Sequence, residues 1–324
     1  MNRLCLTFAF VALLPMKALA HHDSTVGRID SPRLLSVESS ELPTPRLDAA
    51  AGYTFSRFGR LLDGRETLDA DGAISVHLVH VMNRVVLNDG WAVGALVPFG
   101  ASTASTQDGE DLNSTGLGDM TLFVERRVWD DERFRLTVDG GLLLPTGRYD
   151  PDNALSISDL QTTDEGGLDL ATFDTRSSLG ADVWAARGGF DLRWVSTLIR
   201  PGIRVALNQP LSETSDGIRW GADVWTRLDA AASVFGDSLS INLGFDYRKH
   251  FGDRLDFAQG DEVPERRTVG GRDDVGAVVD LQVPLGEALS CGASARLPVW
   301  QRAGAIQWVE TVSTSFQCAY GLAL

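Results

Sequence analysis

Residues 116–147, with the sequence GLGDMTLFVERRVWDDERFRLTVDGGLLLPTG, contain two stretches in which apolar and charged side chains alternate. Every second residue of the first stretch is apolar, with Arg126 as the exception: Met120, Leu122, Val124 and Val128. The same pattern resumes in the second stretch with Phe134, Leu136, Val138, Leu142 and Leu144. Because successive side chains of a strand point to opposite faces, the two stretches are predicted to form an antiparallel hairpin with one apolar face and one charged face.

Each of these strands is about a dozen residues long, which is close to the length that crosses a bilayer core at the tilt of a barrel strand. A soluble sandwich also alternates, but its exposed strands are usually shorter and its apolar face is buried between two sheets. Further alternating segments bring the total to about twelve. They are residues 46–58, 73–86, 90–100, 116–129, 133–145, 173–186, 189–201, 216–230, 237–251, 272–285, 288–300 and 306–324.

The connections between these segments alternate in length. The long connections are 59–72, 101–115, 146–172, 202–215 and 252–271, and the short ones are 87–89, 130–132, 187–188, 231–236 and 286–287. Outer-membrane barrels have short periplasmic turns and long extracellular loops. The sequence therefore predicts an all-β protein, a transmembrane antiparallel up-and-down β-barrel over residues 46–324. Two places fit poorly: the outer connection 301–305 is brief, and His80 would face lipid unless a bulge shifts the register.

The N-terminal part of the chain has the features of a secretory signal. Arg3 precedes an apolar run at 4–14, and Ala-Leu-Ala at 18–20 is a cleavage signal. Residues 1–20 are therefore expected to be a cleaved signal peptide for export, and the predicted barrel places the protein in the bacterial outer membrane. Residues 21–45 lack strand periodicity, and they are expected to form either an N-terminal extension in the periplasm or a small plug in the barrel mouth.

The charge balance excludes one class of partner. The chain carries 29 basic and 44 acidic residues, for a net charge of −15. Without Arg3 and Lys17 of the signal, 27 basic residues stand against 44 acidic ones, which gives −17. Nucleic-acid binding requires basic patches, so no nucleic acid is expected as a partner.

Three short motifs carry a family resemblance. They are GLGD at 116–119, LPTG at 144–147 and LPVWQ at 297–301, the last followed by Gly304. With these motifs the chain resembles the outer-membrane β-barrel family of the MetA pathway of phenol degradation. The resemblance implies a barrel, and it suggests passive or facilitated uptake of a small hydrophobic or aromatic solute. It implies no particular site residues.

The charged faces of the predicted strands turn toward the barrel interior. The candidates for lining the lumen are Glu125, Arg127, Asp139, Arg176, Asp182, Trp184, Arg193, Arg219, Asp223, Trp225, Asp246 and Arg248. Buried charge is costly unless it is paired, so these groups should form ladders or face a wet lumen. One interpretation is a polar passage in which Trp184 and Trp225 contact an aromatic solute. The other is a structural or adhesion barrel whose small interior is filled by salt bridges.

The last predicted hairpin suggests a covalent link. If its tip is centred on Gly304 and Ala305, Cys291 lies opposite Cys318 on the lipid face. The periplasm is oxidising, and directly opposed Cβ atoms lie close to disulfide range. A disulfide is one outcome, and two small buried thiols are the other. The same register places Glu310 on the apolar face, opposite Val299, where only a rim position would tolerate the charge.

The remaining predictions concern partners and chemistry. The sequence contains no G-x-S-x-G, H-E-x-x-H or phosphate-binding motif, so no enzyme, metal site or cofactor is predicted. The long loops are acidic, which is expected to keep them solvated. The expected partners are outer-membrane lipid and lipopolysaccharide, a small-molecule solute, and the barrel-assembly machinery. That machinery would recognise the C-terminal strand, whose outward residues are Phe316, Cys318, Tyr320, Leu322 and Leu324.

Overall fold

The computed structural model describes thirteen segments of the chain. They are residues 45–68, 73–87, 90–105, 111–147, 154–155, 175–176, 180–195, 198–215, 217–235, 238–257, 265–269, 271–304 and 307–324. Within these ranges the regular secondary structure is β-strand. A helix that is long and apolar enough to cross a membrane does not occur in them. The predicted signal peptide and N-terminal extension lie outside the described residues.

The strands are numbered here in chain order. They are β1 (Arg46–Asp63), β2 (Glu66–Leu68), β3 (Ala73–Val86), β4 (Trp91–Ser105), β5 (Asp111–Leu117), β6 (Met120–Asp130), β7 (Phe134–Leu144), β8 (Ala154–Leu155), β9 (Thr175–Arg176), β10 (Ala185–Trp194), β11 (Ile199–Pro210), β12 (Asp223–Val234), β13 (Leu239–His250), β14 (Asp253–Phe257), β15 (Glu265–Val269), β16 (Arg272–Pro284), β17 (Leu289–Ala303) and β18 (Gln307–Ala323).

Twelve of these strands form one closed antiparallel barrel. Their order around the barrel is β1, β3, β4, β6, β7, β10, β11, β12, β13, β16, β17 and β18. The barrel closes because β1 also pairs with β18, from Arg46 opposite Ala323 to Leu62 opposite Gln307. The short strands β2, β5, β8, β9, β14 and β15 belong to the connections on the side of the long loops. The predicted fold class and strand number are confirmed.

The barrel turns apolar side chains outward and charged side chains inward. Leu228 and Phe316 are 58% and 54% exposed on the outer surface. Glu125 and Asp274, by contrast, are buried inside. A soluble protein would bury the apolar face, whereas a membrane barrel presents it to lipid, so this arrangement is that of a transmembrane barrel.

The predicted strands 173–186 and 189–201 are wrong. The structure has β10 at Ala185–Trp194 and β11 at Ile199–Pro210, so the connection between the two strands is 195–198. Arg187 and Gly188, the predicted turn, therefore lie within β10, as does the next residue, Gly189. A Cβ atom at Gly189 would lie 2.7 Å from the carbonyl oxygen of Val205, so the glycine permits a close approach of two strands. The strand predicted at 216–230 likewise begins later, at Asp223.

The inward and outward faces of strand β3 are the reverse of those predicted. His80 was expected to face lipid without a bulge, yet β3 pairs with β1 and β4 without a register shift and His80 is buried inside the barrel. Because alternate residues share a face, Ile74, Val76 and Leu78 also point inward. Val79, which is 48% exposed, lies on the outer surface.

The last hairpin has the predicted register in its periplasmic half. Cys291 pairs with Cys318, and the two residues are joined by a disulfide with a Cα–Cα distance of 4.1 Å. The pairing of β17 with β18 extends only to Arg296 opposite Ser313. Beyond that point, Arg57 pairs with Val312 and Phe58 pairs with Glu310, so Thr311 is an extra residue on β18. The next pair, Arg60 with Val309, restores the register because Gly59 is an extra residue on β1.

This bulge at Thr311 corrects the prediction for Glu310. An extra residue reverses which side chains face inward, so Glu310 lies inside the barrel and is 1% exposed. The expected pairing of Glu310 with Val299 is wrong for the same reason. The Nε2 group of Gln301 instead donates a hydrogen bond to the carbonyl oxygen of Glu310 at 2.8 Å, which connects β17 to β18 above the last backbone pair.

The periplasmic turn between β6 and β7 is built around Asp131. Its Oδ1 atom accepts hydrogen bonds from the backbone N–H groups of Phe134 at 2.6 Å and Arg133 at 2.8 Å. Its Oδ2 atom accepts a hydrogen bond from the Nε1–H group of Trp129 at 2.8 Å. These hydrogen bonds, led by the one from Phe134, lower the pKa of the Asp131 carboxyl below its ordinary value.

Candidate functional site: the inner face of the barrel

Eight of the twelve predicted lumen residues lie on barrel strands. Seven of them point into the barrel and are buried or half-buried: Glu125, Asp139, Arg193, Asp223, Trp225, Asp246 and Arg248. Arg127 lies near the periplasmic end of β6, where its side chain is 41% exposed and pairs with Asp130 at 2.8 Å. The alternation within β6, β7, β10, β12 and β13 is what places these side chains on the inner face.

The other four candidates lie outside the barrel strands. Arg176 belongs to the short strand β9, and its side chain is outside the described residues. Asp182 and Trp184 precede β10 at the outer end, and Trp184 is 48% exposed. Arg219 lies before β12 and pairs with Glu213, and both side chains are largely exposed. These four residues were placed on the wall because strands were predicted at 173–186 and 216–230.

A first group of charges lies on the inner wall near the periplasmic end. Arg84 on β3 contacts Asp48 on β1 and Glu125 on β6, each at 2.8 Å. Asp48 also accepts a hydrogen bond from Arg46 at 2.9 Å. Both carboxylates are almost fully buried, and a buried carboxylate is tolerated only when it is paired, so Arg84 holds this part of the wall together.

A second group spans β10, β11, β12 and β16. Arg204 contacts Asp191 at 2.6 Å, and Arg193 contacts Asp229 at 3.2 Å. Arg227 contacts Asp229 at 2.9 Å on its own strand and also pairs with Asp280 of β16. Arginine suits these positions because its planar guanidinium group holds two carboxylates at once.

A third group connects β13, β16, β17 and β18. Arg296 contacts Asp246 at 2.8 Å and Glu310 at 3.4 Å, and it also pairs with Asp274. Arg248 contacts the same Glu310 at 3.1 Å and Asp246 at 3.3 Å. All five side chains are buried. Two guanidinium groups thus hold three carboxylates in a single network.

These ion pairs run along the wall rather than across the interior. Each pair named above joins residues on one strand or on strands at most three positions apart around the barrel. The opposite wall of a twelve-stranded barrel lies six positions away. Strands spaced about 4.8 Å apart and tilted by about 40° enclose a backbone cylinder roughly 24 Å across. The named pairs therefore line that cylinder without bridging it.

The inner wall has two chemically different sides. The side at β3 is largely apolar and includes Ile74, Val76, Leu78 and Met82, each at most 2% exposed. Strand β12 lies six positions from β3 and is therefore opposite to it. The inward residues of β12 are Asp223, Trp225, Arg227 and Asp229. We call the first set the apolar stripe and the second the ionic stripe.

The extracellular end of the ionic stripe leads to a cavity of about 500 Å³. Its lining includes Glu213, Arg219 and Phe251 from the connections next to β11, β12 and β13. Just below it, His250 lies between two carboxylates, with Nδ1 at 2.7 Å from Asp223 and Nε2 at 2.9 Å from Asp253. The mouth of the barrel is therefore polar on this side.

Several inward charges were absent from the predicted set. They are Asp48, Arg84, Arg204, Arg296 and Glu310. The alternation of β1 could have identified Asp48. Arg84 was missed because the apolar face of β3 was assumed to face lipid. Glu310 required knowledge of the bulge at Thr311, for which the sequence carries no signal.

A closed antiparallel barrel with an apolar exterior and an ionic interior defines an outer-membrane β-barrel, and the chain is located in the bacterial outer membrane. Residues 46–214 match the family described as "Putative MetA-pathway of phenol degradation". The chain belongs to this family.

One solved structure supports the architecture. An outer membrane channel from Pseudomonas putida F1 is 13% identical, with a TM-score of 0.67 over 89% of this chain and 100% of that one. At this identity the likeness concerns the fold alone. The TodX monoaromatic hydrocarbon channel, in a mutant form, is 11% identical with a TM-score of 0.46 over 95% of this chain and 96% of that one. No curated protein sequence matches the chain significantly.

Proposed function

We propose that this protein is a passive channel that admits a small hydrophobic or aromatic solute through the outer membrane. The observation that carries the proposal is the apolar stripe on β3 opposite the ionic stripe on β12. A phenol-like molecule has an apolar ring and one polar group. A passage with one apolar and one polar side offers a favourable contact to each part of such a molecule.

The geometry of the ion pairs agrees with a passage. Pairs such as Arg204 with Asp191 neutralise charge along the wall, so the interior need not be bridged for the charges to be satisfied. Trp225 adds an aromatic surface to the ionic stripe, where its Nε1–H donates to Asp246 at 3.3 Å. The family's association with phenol degradation points to the same class of solute.

Solute uptake into proteoliposomes tests this function. We expect the wild-type barrel to admit phenol faster than arabinose, after correction for the leak of each solute through protein-free vesicles. Replacing Val76 and Leu78 with serine and asparagine makes the apolar stripe polar and should lower the ratio of phenol to arabinose uptake. The matched control replaces Val79 and Val81 with the same two residues, because these side chains lie on the outer surface of the same strand.

A second function is favoured by one specific observation. Glu125, Asp274 and Glu310 are at most 2% exposed, as are the four residues of the apolar stripe, which is the burial expected of a filled interior. A filled barrel would act as a structural or adhesion protein through its acidic loops, most of which lie outside the described residues. Planar-bilayer recordings separate the two functions. Silent membranes together with no solute uptake would support the filled barrel and reject the channel.

A further inference from the structure

A row of charged side chains crosses three neighbouring strands on the outer surface of the barrel. Lys249 on β13 pairs with Asp273 on β16, which in turn pairs with Arg302 on β17. The Nζ atom of Lys249 lies 2.8 Å from the Asp273 carboxylate. All three residues point outward, because Tyr247 and Val275, two residues nearer the periplasm on β13 and β16, also lie on the lipid face.

The row lies at the extracellular boundary of the apolar band. On β13 the outward residues below Lys249 are Leu239, Ile241, Leu243, Phe245 and Tyr247. On β16 the outward residues below Asp273 are Val275, Ala277, Val279, Leu281 and Val283. Five outward positions correspond to about 25 Å of apolar wall once the strand tilt is included, which matches the height of a barrel's apolar band. The charges therefore begin where lipid headgroups begin.

Aromatic side chains and a third cation complete this surface. Arg65, in the turn after β1, lies over the ring of Trp300 at 5.6 Å. Trp300 is the neighbour of Val275, one step below Arg302. Lys249 lies over the ring of Phe251 at 5.2 Å. Aromatic rings at headgroup level are typical of membrane barrels. The three cations beside these rings are not part of that general pattern.

The charge balance of this surface is opposite to that of the whole chain. Lys249, Arg302 and Arg65 contribute three positive charges, and Asp273 contributes one negative charge. The chain as a whole carries −15, and Lys249 is the sole lysine after Lys17. The Asp273 carboxylate also accepts the hydroxyl of Tyr247 at 2.7 Å, so it fixes the position of Lys249 between two neighbours. Counted over these four side chains, the net charge is +2.

We propose that Lys249, Arg302 and Arg65 form a binding site for the phosphate group of an outer-leaflet lipid, the phosphorylated glucosamine headgroup of lipopolysaccharide. A lysine ammonium and two guanidinium groups are the donors that proteins use for phosphate. The position of the row at headgroup level selects a lipid phosphate over a soluble one. The site would hold one lipid against the β13–β16–β17 face and give an acidic protein a local attraction to an anionic leaflet.

Native mass spectrometry of the detergent-solubilised barrel with lipid A tests the site. We expect diphosphoryl lipid A to bind more tightly than the same lipid after enzymatic removal of both phosphates. The double variant Lys249→Gln/Arg302→Gln should weaken binding of the diphosphoryl lipid about 30-fold, since each cation near a charged lipid surface contributes about 1 kcal/mol. Equal binding of the two lipids, or equal binding by wild type and double variant, would overturn the proposal.

The matched control is Arg126→Gln. Arg126 also points outward and lies over an aromatic ring, that of Trp91 at 4.9 Å, but near the periplasmic end of the barrel. This variant should bind diphosphoryl lipid A as the wild type does, and an equal loss would show general charge attraction in place of a site. Folding is checked by the mobility of unheated samples on denaturing gels.

Two further measurements keep the proposal falsifiable. Arg65 lies in a turn outside the strands, so the variant Arg65→Gln should leave the barrel wall unchanged. It should reduce lipid A binding about five-fold. Binding should persist in EDTA, because the cations contact the phosphate directly. If EDTA abolishes wild-type binding and Mg²⁺ restores it, the Asp273 carboxylate holds the lipid through a metal ion and the proposed contact is wrong.

Discussion

Arg248 on β13 lies 3.1 Å from Glu310 on β18, although strands β16 and β17 lie between them in the sheet. The bulge at Thr311 makes this contact possible, because it turns Glu310 from the lipid face to the interior. The Glu310 carboxylate also accepts a hydrogen bond from Arg296 of β17 at 3.4 Å. One carboxylate thus connects residues of three strands, β13, β17 and β18.

Replacing Glu310 with glutamine should destabilise the barrel by about 3 kcal/mol. The change leaves two buried guanidinium groups without their shared carboxylate, and removing one partner of a buried pair is strongly unfavourable. Unfolding by guanidinium in lipid micelles, followed by tryptophan fluorescence, measures the effect. The control Glu213→Gln removes a pair with Arg219 in which both side chains are largely exposed, so it should cost less than about 1 kcal/mol. Equal effects of the two variants would contradict the assignment of Glu310 to the interior.

The disulfide between Cys291 and Cys318 should stabilise the folded barrel. It closes a loop with a sequence separation of 27, and the chain-entropy estimate for a loop of this size is about 3.5 kcal/mol. The double variant Cys291→Ser/Cys318→Ser should therefore unfold at a lower denaturant concentration than the oxidised wild type. Reductant should lower the wild-type midpoint and leave the variant unchanged. Two free thiols in denatured, unreduced protein would show that the bond is absent.

Charge on the outer wall should be costly in proportion to its depth. Val279 lies at the middle of the outward row on β16, whereas Leu285 lies just beyond the periplasmic end of the same strand. We expect Val279→Arg to cost about 2–4 kcal/mol and Leu285→Arg about 0–1 kcal/mol, because a charge near the interface reaches water. Reversible unfolding in vesicles provides the comparison. A larger effect at Leu285 would mean that the barrel is positioned differently in the bilayer.

The turn at Asp131 should respond to acid. Its pKa is lowered in the folded state by the N–H groups of Phe134 and Arg133 and by Trp129, so the ionised carboxylate stabilises the turn. A lowered folded pKa gives stability that is fully present above the unfolded value of about 3.9 and is lost as the pH falls through the folded value.

The test compares wild type with Asp131→Asn across this pH range. We expect the variant to be less stable than the wild type at pH 6, and the difference to shrink once the pH falls below 4. Glu132→Gln, the neighbouring change in the same turn, serves as the control for a general effect of charge. A difference between wild type and Asp131→Asn that does not change with pH would contradict the role of the ionised carboxylate.

Much of the fold was predictable because lipid imposes a simple rule on a barrel strand. Where every second residue is apolar, as from Leu239 to Tyr247, the lipid face follows from period two alone. The same rule failed at Arg187 and Gly188, which were predicted to form a turn. The adjacent Gly189 serves a close approach of strands, which depends on distances that a sequence does not contain.

The inner wall was less predictable, for two physical reasons. The apolar stripe on β3 breaks the expectation that apolar residues face lipid, because this strand carries apolar side chains on both faces. A bulge also reverses the faces of every residue beyond it, and the stretch Glu310-Thr311-Val312 itself contains no glycine or proline. The existence and number of the strands can be predicted despite such local errors. The residues that form a site cannot, because each error changes which side chains face inward.

The pairing of β1 with β18 has a consequence for biogenesis. The first and last strands of the barrel pair along sixteen residue pairs, from Arg46–Ala323 to Leu62–Gln307. Until β18 is in place, the sheet has two open edges, which can pair with other chains. Any truncation that removes β18 should therefore yield aggregates in place of a smaller barrel.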